Sequence, residues 1–104
     1  MSKRLAVLEK MTASGAADSF AWYGLAMEYR TLGRKEEALR AFSTLREKDP
    51  SYVPMYLMAG QMLSEAGQKA DAKTWIEEGI AQAQKKRDTH ALGELESLLA
   101  EVTR

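Results

Sequence analysis

The sequence predicts an all-α fold built from stacked antiparallel helical hairpins, and three observations predict it. The chain repeats with a spacing of 34 residues: Trp22 corresponds to Tyr56, Gly33 to Gly67 and Ala38 to Ala72. Leu25 corresponds to Ala59, Ala26 to Gly60, Tyr29 to Leu63 and Phe42 to Ile76. Small residues thus fall on small ones, and bulky apolar residues mostly on bulky apolar ones. Within each segment the apolar residues recur at helical spacing. Between segments stand glycines and prolines that end helices. A period of this size marks a hairpin that cannot hide its apolar faces alone and so stacks on its neighbours.

The elements follow in order. A first helix from about Lys3 to Thr12 carries a stripe of Leu5, Val7, Leu8 and Met11. The stretch TASGAADS breaks it. Asp18 or Ser19 can cap the second helix, in which Trp22, Leu25, Ala26 and Tyr29 form one buried face. Phe20, Tyr23 and Met27 form a second face. One apolar face suffices for a lone surface helix, so this helix has neighbours on two sides or holds a ligand. Gly33 supplies the left-handed residue that a tight helix–helix turn needs.

The third helix spans about Lys35 to Lys48, with Ala38, Phe42 and Leu45 as its stripe. It ends at Asp49-Pro50, because a residue before proline avoids helical geometry. Ser51 can cap the fourth helix, Pro54 suits its first turn, and Gly67 ends it. The fifth, about Lys69 to Ala83, carries Ala72, Ile76, Gly79 and Ile80. Its end is softer, since position 84 holds glutamine where the preceding repeat has Pro50. Asp88 or Thr89 can cap a last helix striped by Leu92, Leu95, Leu99 and Val102. Shifting Phe42 and Leu45 back by one period reaches Leu8 and Met11, so the first helix matches the second half of a repeat. The expected organisation is one domain. A half repeat occupies 1–17, whole repeats occupy 19–52 and 53–86, and a capping helix occupies 88–104.

Composition narrows the function classes. A hydrophobic content of 45% and a charged content of 29% are those of a folded soluble protein. Lys plus Arg balance Asp plus Glu at 15 each, so no net charge draws the chain to nucleic acid or an anionic membrane. The one basic run, Lys85-Lys86-Arg87, reads as a solvated helix end, where cations suit the helix dipole. No cysteine is present, which excludes disulfides and thiolate metal sites. Glu9 and Lys10 interrupt the first apolar run too early for a signal peptide, and no stretch approaches the length of a membrane span. The expected location is the cytoplasm.

The segment AWYGLAMEYRTLGRKEEALRAFSTLREKDP resembles a tetratricopeptide repeat. Trp22 matches the aromatic that opens the first helix of that pattern, and Leu25, Ala26 and Tyr29 match its packing residues. Gly33 matches the turn, Ala38 the close contact between the helices, Phe42 the core aromatic and Pro50 the terminal proline. Tyr56, Ala59, Gly60, Leu63, Gly67, Ala72 and Ile76 match a second copy more weakly. The resemblance implies a right-handed α-α superhelix whose first helices line a concave groove. It assigns partner-binding roles to Phe20, Tyr23, Met27 and Arg30 on the second helix. On the fourth it assigns them to Leu57, Met58, Gln61 and Glu65. Thr31 and Ser64 lie on the same two faces.

Aromatic and methionine side chains on a groove suit an adaptable apolar partner such as a peptide. The alternatives are that a second copy of the chain or the first helix covers this face. Some family members clamp a carboxylate tail with Lys, Arg and Asn in the groove. Here Tyr23 and Met27 stand where that clamp would begin, and the chain has no asparagine.

Nothing in the sequence assembles a catalytic site. Glu36-Glu37 and Glu77-Glu78 are adjacent helix residues that point apart, whereas acid–base pairs must face each other across a substrate. The single histidine, His90, falls level with Tyr56 and Trp22, which gives it a structural role opening the last helix. Alone it makes neither a zinc site nor a triad. Glycines are scattered at turns and contacts, so no phosphate loop exists. Trp75 either packs under the last helix or forms a small exposed patch.

The expected function is a protein–protein interaction module that binds a peptide or partner protein, with no enzymatic activity, cofactor, metal, nucleic acid or membrane. The alternative is a homo-oligomeric assembly element, such as a homodimer, that uses the same groove or the open ends. Replacing Ala38 by Leu would overpack the helix crossing. The expected loss is about 1–3 kcal/mol, measured by thermal or urea unfolding.

Overall fold

A computed structural model describes residues 2–104. Among them are six helices and no strand: α1 (Lys3–Ala13), α2 (Ser19–Thr31), α3 (Lys35–Lys48), α4 (Pro54–Glu65), α5 (Lys69–Lys86) and α6 (Thr89–Val102). They group into two compact units, the first ending at Asp49 and the second running Pro50–Arg104.

In the first unit α1 packs on α2 and α2 on α3. Ser2 caps α1 by accepting a hydrogen bond from the Leu5 amide, and Asp18 caps α2 by accepting one from the Ala21 amide at 2.8 Å. Ser19 does not cap α2. Its hydroxyl donates to Asp49 at 2.7 Å and ties the start of α2 to the end of α3. The core is Leu5, Leu25, Ala26, Ala38, Phe42 and Leu45, all buried. Leu8 lies over Gly24, which has no side chain to hold α1 away. The Tyr29 hydroxyl donates to the Glu9 carboxylate at 2.6 Å and fastens α1 to α2. Arg34 lies over the Tyr29 ring, 4.9 Å from its centroid.

In the second unit α4, α5 and α6 pack on one another. Pro54 occupies the first turn of α4, where its missing amide proton costs nothing. The core is Met55, Tyr56, Ala59, Ile76, Ala72 and Leu95. Two glycines set how closely its helices approach. A Cβ placed on Gly60 would lie 2.7 Å from Ile76 Cγ1, and one on Gly79 would lie 2.5 Å from Tyr56 Cβ. Neither distance is compatible with a side chain, so the spacing of α4 and α5 depends on hydrogen atoms at both positions. Asp88 caps α6 by accepting from the Ala91 amide.

The same turn ends α2, α4 and α5. The amides of Gly33 and Arg34 donate to the carbonyls of Arg30 and Tyr29, and those of Gly67 and Gln68 to Ser64 and Leu63. Arg87 and Asp88 repeat the pattern with Gln84 and Ala83. This paired closure requires a left-handed residue. Gly33 and Gly67 adopt it at φ 76° and 79°. Arg87 adopts it at φ 55° without the freedom of glycine.

Four expectations need correction. The α1 stripe narrows to Leu5 and Leu8, because Val7 and Met11 are 58% and 41% exposed. Within the first unit α1 packs chiefly on α2. Ser51 lies short of the α4 cap position, which Val53 fills with no side-chain capping bond. Helix α5 runs three residues past Ala83 to Lys86, since no proline stops it. The buried face of α6 is Leu95, Leu98 and Val102, while Leu92 and Leu99 are only half-buried. Trp75, left between two placements by its sequence, is buried with its ring centroid 6.0 Å from that of Tyr56.

Two outcomes test this packing. Gly79→Ala should lower stability by about 1–2 kcal/mol despite the better helix propensity of alanine. Gly93→Ala, on an α6 face with nothing within 4 Å, should raise it by up to about 1 kcal/mol. Parallel urea melts read both. A further outcome concerns Tyr29, whose phenol is pushed up to about 12 by burial and by the Glu9 carboxylate, against an ordinary value of 10.0. Because folding favours the neutral phenol, this contribution is complete below pH 10 and is lost as the pH rises through about 12. Glu9→Gln should bring the titration down, as read by phenolate absorbance.

Candidate functional site

On α2 the residues Phe20, Tyr23, Met27 and Arg30 follow at helical spacing and share one face. The opposite face of α2 is committed to the core through Leu25, Ala26 and Tyr29, so this one is left outward. Phe20 is 71% exposed, the most open large apolar side chain among the described residues. Tyr23, Met27 and Arg30 are half-buried. The Tyr23 ring stands 6.1 Å from that of Phe42, tilted by 58°, which anchors it from below. Burial raises the Tyr23 phenol above its ordinary pKa, and the charge of Arg30 acts against that rise. Thr31 turns its hydroxyl back to the Met27 carbonyl at 3.0 Å. The result is an aromatic and thioether strip with a cation at its far end.

The α4 residues divide. Leu57 and Gln61 line an open depression of about 620 Å³ in the second unit, together with α6. Met58 is half-buried and Glu65 exposed, and neither lines that depression. The α6 side of it is Thr89, His90, Gly93, Glu94, Ser97, Leu98 and Glu101, a set the sequence reading did not assign to a site. The signal was present. His90, Gly93, Glu94 and Ser97 lie one period beyond Tyr56, Ala59, Gly60 and Leu63. Polar residues at packing positions mark a face with no helix to pack on. The structural role expected of His90 is therefore corrected: its side chain is 88% exposed, with Nε2 3.1 Å from Glu94 one turn on.

Among the described residues no polar or charged side chain is buried, and no group of three or more His, Cys, Asp or Glu residues could hold a metal ion. Among the same residues no helix is long and apolar enough to cross a membrane.

Helical hairpins with glycine turns, small residues at the crossings and outward first-helix faces define a class, the short tetratricopeptide-repeat proteins. Comparison with known proteins agrees. The tetratricopeptide-repeat family profile matches residues 19–52. A TPR repeat-containing protein of Pseudomonas aeruginosa is 31% identical over 97 residues, covering 93% of this chain and 92% of that protein. The chain therefore belongs to the tetratricopeptide-repeat family.

Solved structures place its fold in the same all-α TPR-like class. The solution structure of a Bordetella parapertussis protein matches with a TM-score of 0.83 and 27% identity, over 100% of this chain and 90% of that one. The crystal structure of a tetratricopeptide repeat domain protein from Salinibacter ruber matches with a TM-score of 0.79 and 29% identity, over 84% of this chain and 97% of that one. Repeats of this family are generally protein–protein interaction modules, and the fold is generally that of non-enzymatic adaptors.

Proposed function

We propose that this chain is an adaptor that binds a peptide or partner protein through the open face of α2, and that it has no enzymatic activity of its own. The observation that carries the reading is Phe20, 71% exposed beside the half-buried Tyr23 and Met27. A rigid aromatic presented on a helix and backed by a packed neighbour costs little entropy to immobilise, which is the character of an interface anchor. Met27 adds an adaptable surface, and Arg30 a charge to orient the partner. Leu57 and Gln61 offer a second contact surface within their own unit, with Met58 and Glu65 on the same helix outside the depression. The absence of any cysteine that needs an oxidising compartment supports a cytoplasmic setting.

Phe20→Ala and Met27→Glu test the assignment, with Glu36→Ala as a control on a solvated face. Circular dichroism should show all three folded. Titration against the partner captured by the wild-type chain should show about 2 kcal/mol lost for Phe20→Ala, about thirtyfold in Kd, and no change for the control. Equal affinity for the wild-type chain and both folded α2 variants would sink the α2 assignment.

A further inference from the structure

We infer that α1 of one molecule docks on the open face of α6 of a second copy, so that the two ends together complete a hairpin. The repeat period shows which face of each helix is built for pairing. In α3 the residues Ala38, Ala41 and Leu45 are buried, as are Ala72, Trp75 and Gly79 in α5. One period before α3 the corresponding residues are Arg4, Val7 and Met11, and all three are exposed. The converse holds at the other end. Leu25, Ala26 and Tyr29 in α2 are buried, and so are Ala59, Gly60 and Leu63 in α4. Their counterparts in α6 are Gly93, Glu94 and Ser97, all exposed. Thus α1 is a second helix of a hairpin with its pairing face bare, and α6 is a first helix with its pairing face bare. Each offers what the other lacks.

The two faces are complementary in charge as well as in kind. Helix α1 carries Lys3, Arg4 and Lys10 against the single anion Glu9, which the Tyr29 hydroxyl already engages. Helix α6 carries Glu94 and Glu101 on the side of the depression, Glu96 on another side near Glu77, and neither Lys nor Arg. Three of these charges oppose the dipoles of their own helices: Lys3 and Arg4 sit in a first turn with no acid, and Glu101 in a last turn with no base. Helix stability does not explain that placement, whereas attraction between the two helices does. Arg4 and Glu94 stand at the positions that Ala38 and Ala26 fill in the first repeat, so opposite charges meet at the crossing. Arg4 keeps only a 3.9 Å approach to Glu28 and is 69% exposed. Leu57 and Leu98 line the depression beside the α6 face and give Val7 and Met11 apolar ground.

A Glu–Arg pair is bulkier than an Ala–Ala pair, so these helices cross at a wider spacing than α2 and α3, and the contact is weak and screened by salt. It is also heterologous, since the α1 and α6 faces are different surfaces of one chain, and the assembly therefore grows with concentration.

Light scattering and sedimentation velocity on the full chain, from micromolar to millimolar concentration, test this. The wild-type mass should rise with concentration at low salt and return to that of the monomer at high salt. Arg4→Glu alone and Glu94→Arg alone should remain monomeric, because each places like charges across the contact. An equimolar mixture of the two should recover association, since the Glu at position 4 of one variant then meets the Arg at position 94 of the other, and the unaltered Arg4 and Glu94 meet in the second contact. A wild-type chain that stays monomeric throughout, or a mixture that fails to recover, overturns the proposal. Neither substitution touches Phe20, so partner binding by α2 stands or falls separately.

Discussion

The close approach of α4 and α5 through two glycines is the constraint on which the second unit depends. With hydrogen atoms at Gly60 and Gly79, Ile76 can sit against one helix and Tyr56 against the other. Both are then fully buried, and Trp75 closes the side beside Tyr56. The same two glycines shape the seat of α6, since Leu98 and Leu95 also approach the points where their Cβ atoms would stand. Dispersion contacts of this kind fall away steeply with distance, so a small widening would forfeit many of them at once. The first unit meets the same demand with alanine, using Ala26 and Ala38, each with no accessible surface.

A hairpin array made this way spends its apolar residues on helix crossings and leaves its outward faces to be specified separately. On α2 that face is Phe20, Tyr23, Met27 and Arg30, none of which the core of the unit fully covers. On α6 it is a polar edge with an apolar floor. The perturbed phenols of Tyr23 and Tyr29 have structural causes, burial in both cases and the Glu9 hydrogen bond in the second. The two faces offer shape, aromatic area and a few charges.

Most of the architecture was legible because turn chemistry and helical spacing are local. Gly33 and Gly67 fall where the backbone turns left-handed, and α3 ends at Lys48 with Asp49, the residue before Pro50, as its cap. The errors of burial fall on α1 and α6. Val7 and Met11 look like core because they share a stripe with Leu5 and Leu8, yet only that last pair meets α2. Leu99 likewise joins a plausible stripe, while Leu98 takes the buried place. In a helix with apolar residues at several spacings, the pattern names candidates. The neighbour decides which of them are covered. The α2 strip was readable residue by residue, but the α6 side of the depression was not assigned, because polar residues at packing positions pass for ordinary surface.

The sequence by itself determined the repeat period, the order of six helices, the glycine turns and the small residues at the crossings. It could do so because each follows from the conformational preference of a residue or from its spacing along one helix. Tertiary structure alone decided that Trp75 is buried, that His90 is not, and which faces of α1 and α6 lie bare. Those outcomes depend on whether a second helix is present to exclude water from a given side chain, and no residue carries that information in its own identity.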